Sequence, residues 1–351
     1  MKFLKLFGTT PSEKDLHLYE QSSNWDGKKF VNLETTVMEF SWGNLPEFIR
    51  KQLFDKEGRE PDLSIPIQAF DKEAFLAPSD KMKAIWYGHS ALLLRIKGKT
   101  LLIDPMLGDN ASPIAPFATK RFSEDSLALI DQFPEIDLVL LTHDHYDHLD
   151  MKSILKLKDK TRAYYVAMGV GRHLSYWGIA AEKITEFDWW DKKSLEDIDI
   201  TFTPSRHFSG RGLTDRAKSL WGGWVFKTEN ENLYFSGDGG YGAHFKEVGK
   251  RLGPFDFGWM ECGQYNENWH QIHMYPEESV QAALDAGVKK ATPVHWAGFA
   301  LALHTWTDPV ERFMAEAKKQ QLNSVYPQIG EIISTSSTSS DSWWKEMESL
   351  F

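Results

Sequence analysis

The sequence predicts an α/β protein with one main domain and an irregular leader packed on it. Three observations carry that prediction. The chain has 351 residues, enough for one large α/β domain or two modest ones. From Ala84 onward, short apolar runs of strand length alternate with segments of helical spacing. One run, Ile136-Asp137-Leu138-Val139-Leu140-Leu141, closes on Thr142-His143-Asp144-His145-Tyr146-Asp147-His148, as a buried strand delivering polar groups into a turn does.

Residues 1–82 read as the leader. Its one expected helix starts at a capping box, Asn44 with Glu47 three residues on, and continues through Phe48, Ile49, Leu53 and Phe54. Its aromatic content suits a core better than a linker. The main domain is expected over 83–330. Ala84 to Ile96 reads as strands around Gly88, Lys97-Gly98-Lys99 as a tight turn, and Thr100 to Asp104 as the returning strand. Gly108 to Phe122 has two prolines and no period, so it is a long loop, a kind that is often functional. Leu149, Ile154, Leu155 and Leu157 suggest an amphipathic helix. Tyr164 to Ala167 reads as a strand, and Gly169-Val170-Gly171-Arg172 as a turn into a helix. Ile198 to Pro204 alternates as an edge strand, and Trp224 to Phe226 and Asn232 to Ser236 are further strands. Pro276 to Gly287 is a bounded helix, with proline near its start and glycine at its end. Ala291 to Val294 is a short strand ending on His295. Residues 331–351 read as a polar tail, because Ser334 to Ser340 has no core potential. No internal repeat is visible.

Composition narrows the function. A formal charge of −10 argues against a nucleic-acid partner, which would need a basic face. The single cysteine, Cys262, forbids an intrachain disulfide and reads as a small core residue rather than a nucleophile. No stretch approaches the roughly 20 apolar residues that span a bilayer, and Met1 to Gly8 has too short an apolar region for a signal peptide. The expected location is cytoplasmic, with peripheral membrane contact through Phe3, Leu4, Leu6 and Phe7 left open. Fourteen tryptophans are many for this length, and core packing is the favoured role for most of them.

The polar cluster after the apolar run points to metal chemistry. Three histidines and an aspartate at His143, His145, Asp147 and His148 fall within six consecutive positions. Neutral imidazole and carboxylate bind zinc and similar divalent ions. His143 and His145 alternate, so they can point the same way, while Asp147 and His148 follow where the chain turns. One segment can therefore present two ligand pairs to two metal positions. Further donors are expected at strand ends, and three stand there: His207 after Pro204, Asp238 within Ser236-Gly237-Asp238-Gly239-Gly240, and His295 after Val294. Each alone could be a turn aspartate or a core histidine. The glycines around Asp238 permit close backbone approach.

The order His-x-His-x-Asp-His, then His207, Asp238 and His295, resembles the metallo-β-lactamase superfamily. Flanking motifs narrow the likeness: Trp86-Tyr87-Gly88-His89-Ser90, Leu102-Ile103-Asp104-Pro105, Ala111-Ser112-Pro113, Lys120-Arg121-Phe122, Gly253-Pro254-Phe255-Asp256 and Val294-His295-Trp296. With Ser236 to Tyr241, they resemble the N-acyl-phosphatidylethanolamine-hydrolysing phospholipase D family and its bacterial relatives, from about residue 84 to about 315. The resemblance implies a four-layer αβ/βα sandwich. It implies one metal held by His143, His145 and His207, a second held by Asp147, His148 and His295, and Asp238 bridging. Gly239 departs from the family, whose animal enzyme has threonine there. Gln271-Ile272-His273-Met274 resembles a substrate-side segment, which makes His273 a candidate for contacting substrate, although a lone histidine can equally be structural.

The expected cofactors are two zinc ions, with manganese or iron as alternatives. Oxygen-reducing diiron relatives carry glutamate at the position of His145, so histidine there favours hydrolysis. Two neighbouring divalent ions with a bridging hydroxide would attack an electrophilic phosphorus or carbonyl. Asp147 and Asp238 are the candidates to receive or return a proton. Asp104 is either an orienting partner of a ligating histidine or a turn residue, and His89 carries similar weight. The leading expectation is a phosphodiesterase acting on a phospholipid or another small phosphodiester. A hydrolase of lactones, esters or amides on the same metals is the alternative, followed by a metal-binding or sensing module without turnover. The sequence leaves the acyl chain, head group and oligomeric state open.

Overall fold

The computed structural model describes residues 3–37, 50, 57–112, 119–338 and 342–348. Among the described residues, fourteen strands form two seven-stranded sheets. The first holds β1 (Lys83–Trp86), β2 (Leu92–Ile96), β3 (Lys99–Ile103), β4 (Ile136–Leu141), β5 (Thr161–Ala167) and β6 (Ile184–Phe187). The second holds β7 (Lys192–Leu195), β8 (Ile198–Thr203), β9 (Gly223–Lys227), β10 (Asn232–Phe235), β11 (Phe257–Glu261), β12 (Lys290–Val294) and β13 (Asn323–Ser324). The last strand, β14 (Ile332–Ile333), returns to the first sheet beside β1. Strand orders are β14-β1-β2-β3-β4-β5-β6 and β13-β12-β11-β10-β9-β8-β7.

Each sheet is antiparallel on one side and parallel on the other. Pairing is antiparallel from β14 to β3 and parallel from β3 to β6, then antiparallel from β7 to β10 and parallel from β10 to β13. The β2–β3 hairpin turns on Lys97 and Gly98, both at positive φ, which suits the right-handed twist of paired strands. The interior strands β4 and β11 are apolar nearly throughout because parallel strands are covered on both faces. Phe187 of β6 meets Trp224 of β9 with ring centroids 5.2 Å apart, so the two sheets share a core. Trp224 in turn packs against Phe202 of β8. With helices such as Met151–Leu157, Pro276–Asp285 and Asp308–Lys319, this is the α/β sandwich of the metallo-β-lactamase fold.

The leader packs on the main domain through an aromatic triad. Tyr19, Trp25 and Phe30 sit with centroids 5.0–5.3 Å apart, and the Phe30 amide donates to the Ala217 carbonyl. A short helix, Glu13–Tyr19, opens on a Ser12–Asp15 capping box that the sequence reading passed over. The expected helix from Asn44 lies outside the described residues, as does part of the Gly108–Phe122 loop.

Two readings need correction. Ile198 to Pro204 does not form an edge, since β8 is flanked by β9 and β7. The true edge is β7, whose Lys-Lys-Ser-Leu sequence is largely exposed and carries no apolar alternation to reveal it. The segment from residue 331 is also more than a polar tail. Ile332 and Ile333 pair with Ile85 and Ala84, while Trp343 and Trp344 are buried against Trp296 and Tyr326. The serine run between them hid two apolar contacts too short to show a period.

Trp344 tests that correction. It is fully buried, so Trp344→Ala should lower the unfolding free energy by about 3–5 kcal/mol in a guanidinium titration. An unchanged midpoint would mean that the C-terminal segment contributes nothing to the core.

Candidate metal centre

Six strand ends open into one site: those of β3, β4, β8, β10, β11 and β12. Asp104 follows β3 at φ 41°, in the left-handed region, and its carboxylate accepts from the Thr142 amide at 2.8 Å and the Thr142 hydroxyl at 2.6 Å. Those bonds hold the end of β4, where the ligand loop begins. The loop turns tightly, with the His148 and Leu149 amides both donating to the His145 carbonyl. Asp150 then caps the helix Met151–Leu157 by accepting from the Lys152 and Ser153 amides. Asp144 points away from the donors. It accepts from the Gly210 amide at 2.7 Å and the Ser219 hydroxyl at 2.6 Å, with His173 3.3 Å away.

A buried guanidinium braces this loop. Arg211 donates through Nη1 to the Asp144 carbonyl at 2.7 Å and the Leu149 carbonyl at 2.8 Å, tying both ends together. Its Nη2 donates to the Leu6 carbonyl at 2.8 Å, and its plane lies over the Tyr146 ring. The only sequence signal for it was an arginine between two glycines shortly after His207, too common a pattern to single out.

The structure brings all seven sequence-predicted donors together. Nδ1 of His145 lies 2.9 Å from Nε2 of His143 and 3.1 Å from Nε2 of His207. Nε2 of His295 lies 3.3 Å from Oδ2 of Asp147, and Nε2 of His148 lies 3.6 Å from it. Oδ2 of Asp238 is 3.0 Å from Nε2 of both His148 and His295 and 3.9 Å from Nε2 of His207. Asp238 therefore stands between the two groups. Gly237 makes that placement feasible, since at φ 65° a Cβ there would collide with the Gly222 carbonyl oxygen.

These residues fit divalent ions. Donors about 2.0–2.1 Å from one ion in a tetrahedral site sit roughly 3.3 Å apart, close to the spacings found. The second nitrogen of three imidazoles is engaged, as ligating histidines require. Nδ1–H of His143 donates to the Thr142 hydroxyl at 3.0 Å. Nδ1–H of His207 donates to the Ile272 carbonyl at 3.0 Å, and Nδ1–H of His148 donates to Asp104 at 2.7 Å. Each is left with Nε2 toward the centre. Oδ1 of Asp238 is buried and has no hydrogen-bond partner among the described residues. Asp104 thus orients His148 and is more than a turn residue.

Charge is divided unevenly across the centre. Burial, then neighbouring imidazoles, push His143 and His207 well below the usual histidine range. Loss of water alone would raise the carboxyls of Asp147 and Asp238, but the surrounding imidazoles, His148 foremost, hold both well below the usual carboxylate range. Burial opposes a proton on His148 as well, yet Asp238, Asp147 and Asp104 outweigh it and hold that imidazole at about 10. His295 is raised for the same reason, by Asp238 and Asp147.

Three further residues touch the donors. His89 faces Oδ2 of Asp147 at 2.8 Å and its ring centroid lies 4.0 Å from that of His295, so it bears on the second group. His273 lies between the two groups, its ring centroid 5.1 Å from that of His207 and 5.2 Å from that of His295. Glu261 was missed in the sequence. Its carboxylate accepts from Nδ1 of His273 at 3.1 Å and lies 3.5 Å from Nδ1 of His295, so it couples the candidate substrate contact to a donor. It ends β11, a strand that the sequence reading also missed.

Fold and donors together define a metal-dependent hydrolase. A model of the β-lactamase superfamily domain matches residues 99–296. N-acyl-phosphatidylethanolamine-hydrolyzing phospholipase D 1 of Caenorhabditis elegans is 30% identical over 294 residues, covering 80% of this chain and 79% of that protein. An uncharacterised protein of Mycobacterium tuberculosis is 35% identical over 332 residues, covering 93% and 88% respectively. Among solved structures, the metallo hydrolase Igni18 of Ignicoccus hospitalis aligns with a TM-score of 0.56 at 19% identity, over 72% of this chain and 98% of that one. The chain belongs to the metallo-β-lactamase superfamily.

The raised His148 sets a proton linkage. In metal-free protein its stabilising contribution is complete below pH 6.5 and is lost as the pH rises through about 10. Near pH 7 a divalent ion must displace that proton. Zinc uptake should therefore release protons, and apparent affinity should rise up to about tenfold per pH unit for each proton displaced. Calorimetric titration in buffers of different ionisation enthalpy measures the release. Heats independent of buffer, with affinity flat in pH, would contradict it.

Proposed function

We propose that the chain is a zinc-dependent phosphodiesterase of phospholipase D type, acting on N-acyl-phosphatidylethanolamine-like lipids. The observation that carries this reading is the 30% identity to the nematode phospholipase across four fifths of the chain. The donor set supports zinc, since it holds five imidazoles and two carboxylates with no thiolate. A cavity of about 630 Å³ beside His207 supports an organic substrate. Its walls include Phe208 and the leader from Lys29 to Thr36.

His143, His145 and His207 would hold one ion, Asp147, His148 and His295 the other, and Asp238 would be shared. Ions held there supply the Lewis acidity and water activation of two-metal phosphoryl chemistry. The chain's own groups handle protons and orientation. Glu261 holds Nδ1–H of His273, so Nε2 carries a lone pair that can accept a proton originating from the attacking water and, as Nε2–H, pass it to the departing oxygen. Asp147 and Asp238 are the carboxylates placed to take a proton from the attacking water. Cleavage on the head-group side of the phosphodiester consumes one water and yields phosphatidic acid and the N-acylated amino alcohol. The proposed location is cytoplasmic with peripheral membrane contact, and no described helix is long and apolar enough to cross a membrane.

Zinc-loaded protein should convert N-acyl-phosphatidylethanolamine to those two products. His273→Ala should lower the rate by about 10²–10⁴-fold with zinc content unchanged. Intact lipid, alongside cleavage in a panel of lactones and esters, would overturn the phosphodiesterase reading.

A further inference from the structure

The leader does more than cover the sandwich. Residues 32–37 run alongside the segments that carry His207 and His273 and are bonded to them repeatedly. Arg206 donates to the Thr35 carbonyl at 2.9 Å and to the Thr36 hydroxyl at 3.1 Å. Glu34 accepts from the Ala243 amide at 2.7 Å, and Gln271 accepts from the Val37 amide at 2.9 Å. The densest contact is at Asn32. Its side-chain amide donates to the His207 carbonyl at 2.8 Å and accepts from the His207 amide at 3.1 Å. Both backbone groups of one histidine are thus closed by one carboxamide. Nε1–H of Trp221 donates to the same Asn32 oxygen at 2.9 Å, which fixes the orientation of the carboxamide.

His207 needs such support. It lies beyond β8, in a stretch without helix or strand, so no ladder sets its backbone. Its imidazole is held at Nδ1 by the Ile272 carbonyl. Asn32 fixes the main chain and Ile272 fixes the ring, and both are required to aim Nε2 at His145. The donors of the second group rest on other supports: Asp104 for His148, Glu261 for His295 and His89 for Asp147. No leader side chain is among those contacts.

We infer that Asn32 is a positioning residue for one metal position only, so that the leader sets the affinity of the ion held by His143, His145 and His207. This rests on the two-ion reading above. Loss of an orienting partner of a metal ligand weakens the ion by about 10–100-fold. Asn32→Leu removes both bonds to His207 at similar volume. Asn32→Asp keeps an acceptor for the His207 amide and for Trp221, but sets a carboxylate oxygen against the His207 carbonyl.

The test is zinc titration of the full chain against a chromophoric chelator, with His207→Ala as the reference that marks the first position. The expected result is one ion weakened by about 10–100-fold in Asn32→Leu and the other unchanged, matching in identity the ion lost in His207→Ala. Asn32→Asp should weaken the same ion, and it serves as the second probe if Asn32→Leu does not fold. Two ions bound as tightly as in the wild type, or both weakened equally, would overturn the inference. Wild-type protein without two zinc ions, or His207→Ala retaining both, would instead overturn the reading on which it rests.

Discussion

Seven donor side chains converge in a space where donors from neighbouring groups lie 3–4 Å apart, and the fold is organised around making that tolerable. Buried imidazole nitrogens with lone pairs face one another, and two carboxylates sit among them with little water. Alone, such groups repel or remain desolvated at considerable cost. The protein divides the load by charge. The carboxylates cluster with His148 and His295 and raise both above the usual histidine range, while burial and neighbouring imidazoles push His143 and His207 well below it. A divalent ion at either group replaces protons or relieves facing lone pairs. Folding and metal binding are thereby linked through the same side chains.

The two sheets make the convergence geometrically cheap. Strand ends of both open toward one crevice, and each contributes short polar segments there: β3 and β4 from the first sheet, β8, β10, β11 and β12 from the second. Rigid strands place the chain, and short-range bonds then aim the side chains. Asp104 couples β3 to both Thr142 and His148, so one carboxylate fixes the start and the end of the ligand loop. Arg211 does the same from outside by spanning the Asp144 and Leu149 carbonyls. A guanidinium suits that task because its fork of donors is planar and remains charged when buried.

The sequence revealed whatever depended on local pattern. The donors were legible because imidazoles and carboxylates recurred directly after apolar strands, and β2, β3, β4 and β10 because their apolar runs had strand length. Arg211, Glu261 and Asn32 were not legible, since each acts on a residue distant along the chain, Asn32 by 175 positions. Nothing local distinguishes an asparagine that clamps a histidine backbone from one in a turn. The edge strand β7 and the paired tryptophans of the C-terminal segment escaped for a related reason. Their structure comes from what they pair with or pack against, and their own sequences carry no period.

The central claim is that the seven donors hold two ions with Asp238 between them. Anomalous diffraction at the zinc edge, from crystals of zinc-loaded protein, tests it most directly. The account predicts two peaks, one among His143, His145 and His207 and one among Asp147, His148 and His295, each within bonding distance of Asp238. A single peak, or a peak centred on Glu261 and His273 with the seven donors unoccupied, would contradict it.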